Sequence, residues 1–431
     1  MEEDLTHRVT LLVIQVAVIL IAAKIAGEVC ERYVKIPPVL GELLVGVAIG
    51  PFALGALTIG GFGPLFPIHG IHDGAAPVIP VSPELWSLAQ IAAIILLFVS
   101  GLETNLRQFL RYLGPAMGVA IGGVVFPFIS GAYATVAFGL AESFLDPTAL
   151  FMGAVLTATS VGITARVLGD IHRLDSPEGV TVLAAAVVDD VVGILILTIV
   201  VGVSATGQFS IQQVALVGAK AVGFWLGLTA VGILMSNYIS RFFSLFRVSG
   251  GPLALALGLA FLAAGAAEMA GLAMIIGAYS MGLALSDTDL ARRLEEPMRS
   301  IYDALVPIFF VVMGMLVDLQ AILGVFTFGL AITLVAILTK VIGAGGPSLL
   351  VGFNLRGAWR LGIGMLPRGE VALIVAGIGL SRGVIEADIF GVAIMMTMIT
   401  TILAPIVLVS AFKHGGSGIR SNTRSPENLN V

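Results

Sequence analysis

The strongest constraint on this chain is its run of apolar stretches, each about as long as a bilayer crossing, which follow one another along almost all of its 431 residues. A helix needs about 20 mostly apolar residues to cross the hydrocarbon core, and only helices and closed barrels can satisfy their backbone groups there. Thirteen segments meet that need: 9–33, 38–57, 84–102, 112–138, 147–170, 177–203, 210–238, 250–268, 271–286, 298–318, 321–345, 359–382 and 387–412. The division near Gly271 is the least marked, because only Glu268 and Gly271 interrupt an apolar run from 250 to 286. Composition excludes a large soluble domain: 58% of residues are hydrophobic and 11% charged, where a soluble domain carries roughly 25% charged residues. The fold class is therefore an all-α polytopic membrane protein.

Glycine supports that class. There are 53 glycines, and small residues let helices approach closely in lipid. Gly46/Gly50, Gly118/Gly122 and Gly223/Gly227 have the spacing that brings two small residues onto one helix face. The N-terminus is acidic where a signal peptide would be basic, so the first apolar run reads as a spanning helix. Cys30 is the only cysteine, which rules out an intrachain disulfide.

Basic residues orient the chain. With thirteen crossings and the N-terminus outside, fifteen lysines and arginines fall in inner loops and the C-terminal tail, and only Arg8 and Arg382 fall outside. Such a bias marks the cytoplasmic side. It predicts a multi-pass protein of the cell membrane with a cytoplasmic C-terminus. Lys24, Arg166, Lys220, Lys340 and Arg368 remain in or near spans. The longest loop, 58–83, contains His69, His72 and Asp73. It reads as a solvated Gly/Pro-rich loop, because a metal site would need more ligands. The tail from 413 reads as short, polar and disordered, too short for a nucleotide-binding domain.

A weak repeat relates Leu97–Leu106 to Phe310–Leu319, through Val99/Val312, Gly101/Gly314 and Leu106/Leu319. Because the third and tenth spans run in opposite directions, the copies would be inverted, as in many secondary transporters. The implied organisation is a first repeat over 1–203, a linking helix over 204–249, a second repeat over 250–412 and a cytoplasmic tail over 413–431. The same register sets Thr157–Ser160 against Glu370–Leu373, and both stretches read as irregular.

Four places carry chemistry. Asp189 and Asp190 are adjacent carboxyls near the middle of the sixth span. Each costs about 2.5–3.5 kcal/mol to insert at that depth, so they must face water, partners or ions. Burial and mutual repulsion disfavour their charged forms, which lets protons and a monovalent cation compete for one site. Lys340 in the eleventh span is either their counter-charge or a lysine snorkelling to the inner interface. Thr157, Thr159 and Ser160 interrupt the fifth span with hydroxyls, as either a broken helix lining a cavity or a regular helix with back-bonded side chains. Pro367 breaks the twelfth span beside Arg368 and Glu370, which would act at the break or pair structurally. Glu28, Glu42, Glu103 and Glu268 read as interfacial or structural. No phosphate loop, metal-ligand spacing or nucleophile triad occurs, so no enzyme activity, cofactor or nucleic-acid partner is expected.

These motifs occur in a telling order. Pro37–Glu42 leading to Gly50-Pro51, Leu96–Glu103, Thr157–Thr164, Val188–Val191, Val306–Phe310 and Pro367–Glu370 together resemble the second branch of the monovalent cation:proton antiporter superfamily, the bacterial sodium/proton antiporter type. The resemblance covers nearly the whole chain. It implies thirteen helices in two inverted six-helix repeats, a homodimer, a mobile core domain and two discontinuous helices crossing in it, the fifth and twelfth spans. It implies Asp190 as the main carboxylate for cation and proton, with Asp189 alternately bound to Lys340 and released. It also implies elevator-type, electrogenic exchange of Na⁺ for protons, because members with an Asp pair and this lysine are typically electrogenic. K⁺ and Li⁺ stay open as the cation, and potassium/proton exchange and a gated cation channel stay open as functions.

Overall fold

The computed structural model describes residues 2–34, 36–58, 63–69, 79–206, 211–246, 248–318, 325–413 and 415–420, with the side chains of 2–5, 205, 206, 370 and 381 outside that description. His72, Asp73 and Leu319 lie outside it. Among the described residues the structure is helical, with two isolated bridges, Thr58 with Pro64 and Phe353 with Ile419.

In chain order the helices are α1 (Glu2–Val29), α2 (Pro38–Ile49), α3 (Pro83–Glu103), α4 (Leu106–Ala137), α5 (Pro147–Thr157), α6 (Val161–Asp170), α7 (Pro177–Thr206) and α8 (Ile211–Ser244). The second half contains α9 (Gly251–Met269), α10 (Met274–Leu285), α11 (Asp289–Met315), α12 (Phe326–Ser348), α13 (Leu355–Gly364), α14 (Glu370–Ser381) and α15 (Ala387–Lys413). Several starts are fixed by polar caps, which are legible in sequence. The Ser82 hydroxyl accepts from Leu85 N at 3.2 Å ahead of Pro83. Asp146 accepts from Thr148 N at 2.8 Å ahead of Pro147, and Asn354 accepts from Gly357 N at 3.0 Å. The division near Gly271 is real. Gly271 takes φ +83, a left-handed conformation that suits glycine past a helix end, and Leu272 N bonds back to Ala267 O.

Eleven stretches among the described residues are long and apolar enough to cross a bilayer, against thirteen segments counted in the sequence. The other two apolar helices, Met274–Leu285 and Val371–Leu380, are shorter. α4 and α11 begin before their apolar segments, at Leu106 and Asp289, because a helix continues past the hydrocarbon edge wherever its polar residues meet water.

The helices pack as two groups. In one, α12 lies on α4, α13 and α15, α4 lies on α5 and α7, and α14 lies on α5 and α15. In the other, α10 lies on α3, α8 and α9, and α11 lies on α1, α2 and α3. α6 and α7 join them: α6 packs on α7 and α15 in its own group and on α2 and α3 across the divide, and α7 packs on α8. The small-residue pairs contribute unequally. Gly46 sits against Val311 and Gly314, and Gly50 sits against Met315, so α2 and α11 meet backbone to backbone. No described residue lies against Gly223 or Gly227.

The expectation of a disordered tail from 413 fails for its first residues. Asn354 Nδ2 donates to the carbonyls of Ser417 and Ile419 at 2.9 and 3.1 Å, and Arg420 N bonds to Gly352 O. Arg360, one of the fifteen basic residues assigned to the inner side, is a buried residue of α13. It donates to Glu178 at 2.6 Å and to the carbonyls of Gly415 and Gly416. A buried guanidinium needs several acceptors, and the tail supplies them.

Candidate functional site

The site forms where two interrupted helices meet. Residues 158–160 separate α5 from α6, and 365–369 separate α13 from α14. Of the bilayer-length stretches, Pro147–Asp170 is the most thoroughly buried. Its interruption exposes helix ends whose carbonyls lack partners along the chain, and the rest of the site supplies them. Ser160 N bonds to Pro367 O at 2.7 Å, directly from one break to the other. The Thr164 hydroxyl donates to Gly364 O at 2.7 Å, and that of Thr159 to Met365 O at 3.4 Å. Arg368, fully buried, sends Nη1 to Ala158 O at 2.8 Å at the end of α5. Its own carbonyl accepts the Thr401 hydroxyl of α15.

Glu370–Leu373, expected to be irregular, forms the first turn of α14 instead. The irregular stretch is Met365–Gly369, because Pro367 cannot donate to a helix and disfavours helical backbone before it. The backbone of Glu370 opens α14; its side chain is outside the described residues.

Lys340 lies inside the protein, against a carboxylate. It is 0% exposed, with Nζ 3.1 Å from Asp189 Oδ1. The same ammonium donates to Gly123 O at 2.8 Å and Thr157 O at 2.7 Å. Both carbonyls are free for a physical reason. Thr157 ends α5. Gly123 lies four residues before Pro127 in α4, and a proline has no N–H for the carbonyl one turn back. The three donors of an ammonium are thus matched by one carboxylate and two orphaned carbonyls.

The two aspartates differ. Asp189 is 3% exposed, and Thr159 and Lys340 are among the groups that act on its charge. Asp190 is half-buried, and its charge reaches the Lys340 ammonium. Arg368 acts electrostatically on Asp189. Two carboxylates therefore share one neighbourhood with an ammonium that can release a proton and a guanidinium that cannot. Of the residues singled out in the sequence, the structure gathers Thr157, Thr159, Ser160, Asp189, Asp190, Lys340, Pro367 and Arg368. Sequence reasoning missed the Gly123 carbonyl and Thr401. Pro127 in an apolar span was the available signal for the first; Thr401 had none.

Residues 16–414 match the family described as "Sodium/hydrogen exchanger, transmembrane". The chain belongs to this exchanger family. Among its relatives, the Na(+)/H(+)-K(+) antiporter GerN of Bacillus cereus is 34% identical over 92% of this chain and 95% of that protein. The high-affinity Na(+)/H(+) antiporter NhaS3 of Synechocystis sp. is 35% identical over 93% of this chain and 89% of its own length. The fold is that of the sodium proton antiporter MjNhaP1 from Methanocaldococcus jannaschii. The TM-score is 0.65 at 18% identity, covering 94% of this chain and 97% of that one. Membership in the exchanger family places the resemblance drawn from the ordered motifs on independent ground.

Proposed function

We propose that this chain exchanges Na⁺ for protons across the cell membrane, with Asp190 as the principal cation and proton carboxylate and Asp189 held by Lys340 until a cation enters. The observation that carries this is the buried Asp189–Lys340 pair at the meeting of two broken helices, with half-buried Asp190 beside it. Family membership and two relatives named as Na⁺/H⁺ antiporters support the cation. Potassium is the second reading, favoured by the name of the Bacillus relative. The deciding experiment is flux in proteoliposomes under a pH gradient, comparing Na⁺, Li⁺, K⁺ and Rb⁺. Dissipation of the gradient by none of them would refute exchange, and single-channel currents in a planar bilayer would replace it with a channel.

In the same proposal the chain crosses the membrane thirteen times, with the α5–α6 and α13–α14 pairs each counting once, as inverted repeats within a homodimer. One helix group carries the site past the other in an elevator-type movement. The N-terminus is outside. In a Cys30→Ser background, His69→Cys and Arg292→Cys should then react with a membrane-impermeant maleimide from opposite sides. Labelling of both from one side would refute the count of crossings between them.

Exchange should also be electrogenic. If two protons enter for each cation exported, one net charge crosses per cycle, and 100 mV is worth about 2.3 kcal/mol per charge. An inside-negative potassium-diffusion potential set by valinomycin, at equal pH on both sides, should accelerate Na⁺ efflux. Efflux indifferent to a verified potential would make the exchange electroneutral.

A further inference from the structure

A polar cavity of about 970 Å³ opens elsewhere, and neither Asp189 nor Asp190 lines it. It is a vestibule at the arginine-rich end, walled by residues such as Glu31, Glu103, Asp170, Arg299 and Tyr302, and Arg166 forms part of its surface. A second cavity, of only about 30 Å³, lies deeper between the helix groups. It touches Arg368 and Gly369 of the second break and is otherwise nearly apolar, with Leu43, Val47 and Ile163 in its wall. One turn of α6, from Ile163 to Arg166, and one step of α2, from Leu43 to Glu42, separate the two spaces. Ser160, at the site, is six residues before Arg166, or about 9 Å along the helix.

The separating layer is a charged cluster spanning the two helix groups. Arg166 Nη2 of α6 is 3.8 Å from Glu42 Oε1 of α2, and both side chains are buried. The guanidinium stands 5.1 Å from the Tyr302 ring centre of α11 and interacts with that residue electrostatically. Within α6, Arg166 Nε is 3.2 Å from Asp170. A buried pair persists as a permanent strut when its remaining lone pairs and protons are also satisfied. This one is long, and Glu42 Oε2 and Arg166 Nη1 have no hydrogen-bond partner among the described residues. Water from the vestibule can satisfy both atoms once the groups part, so separation recovers hydration that the closed contact lacks.

We infer that Arg166, Glu42 and Tyr302 form a separable gate between the vestibule and the ion site, closed in this structure and opened when α6 moves relative to α2 and α11. The inference rests on the exchange proposed above for its purpose, but its test does not need ion flux. In a Cys30→Ser background, Val47→Cys reports from the inner cavity and Ala291→Cys from the vestibule wall. A charged, membrane-impermeant methanethiosulfonate is applied from the arginine-rich end. With the cluster intact, Ala291→Cys should react rapidly and Val47→Cys slowly. Adding Glu42→Gln, which keeps the shape and removes the charge, should speed Val47→Cys by about tenfold or more, a shift of about 1.4 kcal/mol in the opening equilibrium, and leave Ala291→Cys unchanged. Tyr302→Phe should act in the same direction with a smaller effect, and it decides the matter should Glu42→Gln fail to fold. A Val47→Cys rate unmoved in the folded variant, with Ala291→Cys reacting normally, overturns the gate. Absent Na⁺/H⁺ exchange together with a shifted labelling rate would instead remove the proposed function and leave the gate.

Discussion

Asp190→Asn should reduce Na⁺-dependent proton movement in proteoliposomes to that of empty vesicles while leaving the protein folded. Asparagine fills nearly the same volume, so packing in α7 is kept. It carries no charge and takes up no proton in the working range, so neither half of the exchange has a group to act on. A second readout separates loss of binding from loss of movement. A ligand that binds only the folded state raises stability by RT ln(1 + [L]/Kd), about 2.7 kcal/mol at a hundredfold excess over Kd. Na⁺ should therefore raise the melting temperature of the wild type and not that of the variant. Asp190→Glu should keep part of the activity, because the charge survives at a displaced position. Full flux in Asp190→Asn would move the cation site away from this carboxylate.

Lys340→Met should be the most destabilising single change at the site. Removing one partner of a buried ion pair typically costs about 3–5 kcal/mol, because the other charge is left uncompensated. Here the Gly123 and Thr157 carbonyls also lose their donor. Arg368 and Thr159 still act on Asp189, which argues for the lower part of that range. Pairing Lys340→Met with Asp189→Asn should recover part of the loss, with a coupling of about 0.5–3 kcal/mol, measured by unfolding in detergent. Strictly additive effects would show that the ammonium serves the two carbonyls and not the carboxylate.

Much of this architecture was legible along the chain because lipid imposes a simple rule. Every backbone group must be satisfied within the segment or by protein, so apolar length marks the helices, and charges at mid-span mark where lipid is absent. Asp189, Asp190, Lys340 and Arg368 stood out for that reason, and Pro367 located one helix break. Some helix starts are set by local caps, Ser82, Asp146 and Asn354, whose bonds reach only two or three residues. Boundaries were less legible. α11 extends to Asp289 through charged residues, since hydropathy reports the hydrocarbon edge and a helix does not stop there.

The sequence by itself therefore determined an all-helical membrane protein, the place of its charged centre and, through the order of its motifs, its family. The tertiary structure decided which charges are partners. Lys340 and Asp189 lie 151 positions apart, and an ammonium on a four-carbon stem reads the same in sequence whether it snorkels or is buried. Glu42 and Arg166, and Glu178 and Arg360, become partners only because α2 lies beside α6 and α7 beside α13. Local rules act over a helical turn, whereas a buried ion pair depends on which surfaces meet, and no single span carries that information.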